Sequence, residues 1–252
     1  MTSSTTFSEK ISFPPIYVIH GVAGYEDRED RLKRDLAARE MDFEFVTEFK
    51  DPVQNENLIC KYFREDSLNP LTKGKLYCTL VHILAYEKIV SRKQKYALIF
   101  ENDVYFLNNF AKGFERVMAE ARTLPAGFII SLENSTLRFP HWRKIKKEKV
   151  LYEAEFGRCA GAYLIDLRGA EKIMEKVNAN GFSKVIDWWH NDLVKEGVVK
   201  MYWAQPPLTE QGSFNGKLSS SIALRDKGNL RSLRWRLQKF IKMYVTRWFR
   251  SP

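Results

Sequence analysis

The sequence predicts an α/β domain, and three observations carry that prediction. Its 252 residues are 44% hydrophobic, enough to bury an ordinary core without disulfides. The opening from Ile16 to Val46 reads as strand, helix, strand. Short apolar runs then keep alternating with helical segments, the pattern of a sheet covered by helices, where ligands gather near the carboxyl ends of the strands.

The elements follow in chain order. Residues 1 to about 13 are Ser/Thr-rich and read as a loose arm. After Pro14-Pro15, the β-branched and aromatic run Ile16-Tyr17-Val18-Ile19 is a strand, turned by His20-Gly21-Val22-Ala23-Gly24. Asp27 to Glu40, "DREDRLKRDLAARE", begins with acids that suit the positive end of a helix dipole and carries helix formers throughout. "FEFV", Phe43 to Val46, is a second strand, whereas Asp51 to Pro70 lacks periodicity and reads as irregular. From Thr72, the spacing of Leu76, Leu80, Ile83, Leu84 and Ile89 predicts an amphipathic helix leading into "YALIFENDVYF", Tyr96 to Phe106. Further strands are expected at Gly127 to Leu132, Gly161 to Asp166 and Val198 to Trp203, with a helix at Leu167 to Val177.

Composition shifts near Arg225, from which to the end Asp226 is the only acid among nine Lys/Arg. Leu230, Leu233, Leu237, Phe240, Ile241, Tyr244 and Trp248 fall on one helical stripe with basic residues over much of the remainder, which suits a helix lying in an anionic membrane surface; a helix packed on its own domain is the plainer alternative. The expected organisation is an arm at 1–13, a domain at 14–224 and a basic amphipathic tail at 225–252.

The net charge of +10 favours an anionic partner: nucleic acid, acidic lipid or a phosphorylated substrate. Cys60, Cys78 and Cys159 are odd in number and too widely spaced for a zinc knuckle or a Cys-x-x-Cys pair, which points to structural thiols in a reducing compartment. The N-terminal stretch lacks a secretory pattern, and no run reaches the roughly 18 to 20 apolar residues of a membrane span. The expected location is therefore cytoplasmic. No Walker loop, Gly-x-Gly-x-x-Gly or nucleophilic triad is present.

Chemistry concentrates in two places. Ala97-Leu98-Ile99-Phe100 can be buried as a central strand, yet it ends on Glu101-Asn102-Asp103. Side chains alternate along an extended backbone, so Glu101 and Asp103 share a face and there need water, hydrogen-bond donors or a cation. That spacing suits Mg²⁺ or Mn²⁺ completed by water and substrate phosphates; a solvated strand end is the simpler alternative. In "VIDWWHND", Asp187 stands beside the aromatic rings of Trp188 and Trp189, with His190 and Asp192 as further polar groups. The alternative is a pair of core tryptophans beside an N-capping Asp187. His82, among apolar neighbours, fits a hydrogen-bonded core histidine better than a metal ligand.

"GKLYCTLVHILAYEKIV" and "YALIFENDVYF" together resemble the central signature of glycosyltransferase family 25, the group of the lipooligosaccharide and procollagen galactosyltransferases, through Gly74, Cys78, His82, Glu101 and Asp103. "IYVIHG…DREDRLKRDL" is similar to that family's opening strand and Arg-led helix, with Arg28 at the matching Arg. "GAYLIDLRGAEKIMEKV", "IDWWHNDL" and "PPLTEQGSFNGKLSSSI" resemble its later segments in the same order. Lys75, Tyr77, Val81, His20 and Asn102 depart from the pattern, and Asn102 replaces a carboxylate.

The resemblance implies a GT-A-type nucleotide-sugar-binding fold, a mixed central sheet flanked by helices, and a UDP-sugar donor. A divalent cation, Mn or Mg, would sit on Asp103 with Glu101 in support. Arg28 would meet a donor phosphate or pair with acids of its own helix. Asp187 would serve as the base, and Trp188, Trp189 and His190 would bind the acceptor. The expectation is thus a hexosyltransferase, galactose first, acting with inversion on a lipid-linked oligosaccharide such as lipooligosaccharide from the inner face of the cytoplasmic membrane. The alternative is a non-catalytic basic module that grips nucleic acid or anionic membrane. Nucleic acid is disfavoured because basic residues gather at the chain end and around residues 143 to 149.

Overall fold

The computed structural model describes residues 12–21, 25–47, 52–65, 70–107, 109–218 and 229–245. Its strands are β1 (Ile16–Ile19), β2 (Glu44–Val46), β3 (Tyr96–Glu101), β4 (Val104–Phe106), β5 (Phe128–Ser131), β6 (Leu151–Ala154), β7 (Ala162–Asp166), β8 (Lys200–Ala204) and β9 (Thr209–Gln211). Its helices are α1 (Glu26–Ala37), α2 (Pro52–Tyr62), α3 (Lys73–Ser91), α4 (Phe110–Ala121), α5 (Leu167–Asn180), α6 (Ile186–Lys195), α7 (Gly212–Asn215) and α8 (Asn229–Phe240). Seven strands form a mixed sheet in the order β2-β1-β3-β7-β5-β8-β6, and β4 pairs with β9 apart from it. The β2-β1-β3 side and the β5/β8 pair are parallel, while β7 runs antiparallel between β3 and β5. This is the mixed α/β class expected.

The two faces of β3 organise the core. Ala97 and Ile99 point into a layer built with α3, α5 and α6, whereas Leu98 and Phe100 point into one built with α1 and α4. All four are fully buried, so the strand reads as a continuous apolar run. One carboxylate sets the junction of β7 and α5: Asp166 accepts the N–H groups of Gly127 and Phe128, both at 2.8 Å, and caps α5 through Gly169 N–H at 3.0 Å. Gly181 ends α5 at φ +68, a conformation that strains a side-chain-bearing residue.

Several expectations are corrected. The 72–91 helix exists as α3, but residues 79–86 are all buried, so it is a central helix wrapped on every side and not an amphipathic one. Residues 52–62, read as irregular, form α2; its signal was Pro52 at the first helical position, not periodicity. Phe110, Phe114, Val117, Met118 and Ala121 carry a helical stripe and form α4, which the sequence reading passed over together with β6. Phe13, assigned to the arm, stacks on Phe110 and Phe114. Residues 1–11 of that arm and 246–252 of the tail, Trp248 included, lie outside the described residues.

The tail helix docks on the domain, but not by its stripe. Trp235 is 7% exposed against Phe214, Arg231 donates to the Ser213 carbonyl, and Lys239 pairs with Glu210. Burial would raise Glu210, yet the Lys239 ammonium outweighs it and holds that carboxyl below its ordinary value. Gly216, at φ +83, lies against the Arg231–Ser232 backbone where a side chain would collide. Leu230, Leu233, Leu237, Phe240 and Tyr244 face outward, each more than half exposed. Among the described residues no helix is long and apolar enough to cross a membrane.

Phe114 is fully buried between Phe13 and Phe110 on the α4 side of the sheet. Phe114→Ala should therefore cost about 3 to 5 kcal/mol of unfolding free energy, read as a lower urea midpoint at an unchanged slope.

Candidate active site

The carboxyl end of β3 meets three other segments, and Gly161 ties them together. Its N–H donates to Glu133 Oε1 at 3.0 Å, just past β5, and its carbonyl accepts from the Glu101 N–H at 2.8 Å. The Gln211 side chain fills the space that a Cβ on Gly161 would need. Gln211 Nε2 donates to Glu101 Oε2 at 2.9 Å, and the Ser213 N–H donates to Asp103 Oδ2 at 3.2 Å. β9 and α7 thus hold both acids of the strand end.

These acids repel one another. Burial pushes Glu101 up to about 7. Asp103, only 4% exposed, is raised by burial and then by the Glu101 charge. Glu133 is fully buried and held well above the ordinary range, with Glu101 and Asp103 adding to the effect of burial. Asp187, in the first turn of α6, is pushed up to about 6 by burial and by Glu101. Arg28 relieves Glu101 and Asp103 in part, and Lys75 relieves Asp187. The set fits a divalent cation: Asp103 Oδ1 is buried without a hydrogen-bond partner, and positive charge there would relieve several repulsions at once.

Helix α1 sets the turn between β3 and β4. Arg31 donates to the Asn102 and Val104 carbonyls at 2.9 and 2.8 Å, and Arg28 donates to Asn102 Oδ1 at 3.2 Å. The Asn102 amide nitrogen lies 3.1 Å from His20 Nδ1. Arg28 therefore does more than pair within its own helix, and Asn102 engages α1 and β1 instead of the acid cluster.

Behind the acids runs a buried chain of hydrogen bonds. His82 Nδ1 meets Tyr163 OH at 2.8 Å, Tyr163 OH meets Tyr86 OH at 2.6 Å, and Tyr86 OH meets His190 Nε2 at 2.7 Å. Burial lowers both imidazoles to about 3, so they are neutral at pH 7. The 3.5 Å approach of His82 Nε2 to Glu101 Oε1 is accordingly not an ion pair.

The acceptor residues need correction. Trp189 is 5% exposed and packs on Phe182, and His190 belongs to the buried chain, so neither presents a surface to a sugar. Trp188, by contrast, is 59% exposed. Asp187 is not an N-cap either: Val185 holds that position, and Asp187 Oδ1 accepts the Trp188 N–H at 3.0 Å. Asp192 pairs with Lys184 at 2.6 Å.

Sequence reasoning missed Glu133 although it carries the same signal as Glu101, an acid closing an apolar run, here "FIISLE". It also missed Arg158, which is fully buried and donates to the Glu133 and Ala204 carbonyls, both at 3.0 Å, with its guanidinium over the Trp203 ring. A lone arginine reads as solvated by default, and the small and apolar neighbours from Phe156 to Tyr163 were the one local hint of burial.

A family model described as glycosyltransferase family 25 (LPS biosynthesis protein) matches residues 13–185, ending just ahead of Asp187. Human procollagen galactosyltransferase 2 is 25% identical over 191 residues, which cover 71% of this chain and 30% of that protein. The human inactive glycosyltransferase 25 family member 3 is 27% identical over 174 residues, covering 66% and 29% respectively. The chain thus spans about a third of the length of these curated relatives. Among solved structures, a glycosyltransferase involved in glycosylation of the major capsid of PBCV-1 aligns over 90% of this chain and 100% of its own, at 11% identity and a TM-score of 0.42.

The repulsion has a measurable sign. Glu101 in the folded chain titrates near 7, above its ordinary 4.5, so the folded state holds an extra proton between those values and loses stability as pH rises through them. In chelator, Glu101→Gln should therefore gain on the wild type between pH 5 and pH 8, by up to about 3 kcal/mol. Melting curves of the two proteins across that range check it; a constant offset would contradict the electrostatic account.

Proposed function

Because the chain belongs to glycosyltransferase family 25, we propose that it moves a hexose, galactose first, from a UDP-sugar to a lipooligosaccharide or related glycan, with inversion at the sugar. The observation that carries this reading is the shared field of Glu101, Asp103, Glu133 and Asp187 at the carboxyl ends of β3 and β5 and the start of α6. The choice of galactose follows the name of the procollagen galactosyltransferases.

A divalent cation, Mn²⁺ or Mg²⁺, held by Asp103 with Glu101 beside it, would supply positive charge against the departing nucleoside diphosphate. Arg28, whose charge already reaches both carboxylates, offers a donor phosphate a guanidinium. As the acceptor oxygen bonds to the anomeric carbon and the bond from that carbon to the diphosphate oxygen breaks, the hydroxyl proton passes to the Asp187 carboxylate. A pKa of about 6 keeps Asp187 largely ionised at pH 7 yet basic enough to accept. Trp188 offers an exposed ring to the apolar face of a sugar. Asn102 takes no ligand from the cluster, because its side chain is committed to Arg28 and His20.

Transfer from UDP-hexoses, with and without Mn²⁺, tests the reading. Asp103→Ala should abolish cation-dependent transfer in a folded protein. Asp187→Asn should slow turnover by about 10² to 10⁴-fold with donor affinity nearly unchanged. Full activity of either variant, or of the wild type in excess chelator, would contradict the assignment.

The same reading places the protein peripherally on the cytoplasmic face of an anionic membrane, where a lipid-linked acceptor lies. Two features of the described tail support it: the apolar stripe from Leu230 to Tyr244 is exposed, and residues 229–245 contain five basic side chains and no acid. Basic groups near an anionic surface contribute about 1 kcal/mol each. Leu233→Glu with Leu237→Glu leaves the Trp235 side of the helix intact. That double variant should lose sedimentation with phosphatidylserine-containing vesicles while transferring normally to a soluble acceptor; undiminished sedimentation would refute the surface role.

A further inference from the structure

Cys78 and His82 have no part in the transfer reading, yet both face Glu101. They stand four residues apart on α3, which stacks them on one face of the helix. His82 Nε2 lies 3.5 Å from Glu101 Oε1 and Cys78 Sγ lies 4.0 Å from the same oxygen. One donor atom from each of the three residues falls within 4.8 Å of the others. A tetrahedral zinc ion with bonds of about 2.0 to 2.3 Å spaces its ligand atoms about 3.3 to 3.8 Å apart, so small side-chain adjustments close this set around a metal.

The hydrogen-bond chain behind His82 strengthens the case. Each tyrosine in it has one proton to give, so Tyr163 and Tyr86 can be polarised in only two directions. With protons running from His82 Nδ1 toward His190, His82 Nε2 is bare and its lone pair faces a carboxylate oxygen. With the reverse polarity, Nε2 carries a proton but stands too far from Glu101 for a good hydrogen bond, and it is a fully buried nitrogen without a partner. A cation between Nε2 and Oε1 satisfies the first arrangement, and the Tyr163 hydroxyl on Nδ1 is the outer partner that orients a ligating imidazole.

We propose that Cys78, His82 and Glu101 bind a thiophilic divalent cation of the zinc class. A thiolate, a carboxylate and a neutral imidazole balance such an ion with no net charge, which suits a buried place, and the thiolate selects zinc over magnesium or manganese. Cys78 and Glu101 are only partly buried and give the ion an entry path. The site is separate from the cation position on Asp103 and shares only Glu101 with it.

The test uses cobalt as an optical probe. The full chain, stripped by chelator, is titrated with Co²⁺ while absorption is recorded. A thiolate-to-cobalt charge-transfer band should appear, saturate at one cobalt per chain and be displaced by Zn²⁺. It should persist in Asp103→Ala, which separates this site from the transfer chemistry, and should vanish in Cys78→Ser. Tyr163→Phe should weaken binding about 10- to 100-fold. Should Cys78→Ser fail to fold, the Cys60→Ser, Cys159→Ser double variant decides, because it leaves Cys78 as the sole thiol and must keep the band. Absence of the band in the wild type, its survival in folded Cys78→Ser or its loss in the double variant would each overturn the proposal.

Discussion

The structure turns on one unfavourable interaction, the crowding of like-charged carboxylates at the carboxyl end of β3. Four acids from three segments gather there, and the Glu101 charge raises the cost of ionising the other three. A fold can keep such a cluster only if the backbone around it is over-determined. Gly161 supplies part of that by serving Glu133 and Glu101 at once, and its missing side chain admits Gln211. The antiparallel strand β7 makes this possible, because it inserts between β3 and β5 and so brings the ends of both to the start of its own run. Arg158, packed beneath Glu133 among aromatic rings, adds a buried positive charge to the same region.

How much of this was legible in the sequence depends on whether the signal was local. Glu101 and Asp103 were, since side-chain alternation after a buried run puts both acids on one face, and the opening strand-helix-strand was legible from β-rich runs flanking a stretch of helix formers. Glu133 had the same local signal and was overlooked. Gln211 and Gly161 could not be linked by any sequence rule, because their relation is a close approach across 50 residues of chain. Trp189 and His190 misled for the opposite reason: aromatic and polar residues beside an acid look like a sugar site, whereas the helix turn between Trp188 and Trp189 sends one to solvent and the other to the core. The sheet order itself, with β7 between β3 and β5, lay beyond any reading of periodicity.

The tail helix has two faces, and the sequence reading dealt with only one of them. The stripe from Leu230 to Tyr244 has the spacing that normally seats a helix on a core, but Arg231, Trp235 and Lys239, themselves four residues apart, form a second face, and that face makes the contact. A salt bridge and one indole hold the helix while its apolar side stays in water. Such an arrangement leaves a row of five large apolar side chains, each more than half exposed, along one helix.

Strand β9 gives that docking a reach beyond the tail. Its adjacent residues face opposite ways: Glu210 meets Lys239 of α8, and Gln211 meets Glu101. Deleting α8 is therefore not a simple subtraction, because it strands a largely buried carboxylate on the strand that steadies the acid cluster. Deletion mapping of this chain would register a lost helix as lost chemistry, and an inactive shortened protein would say nothing about where the intact one resides.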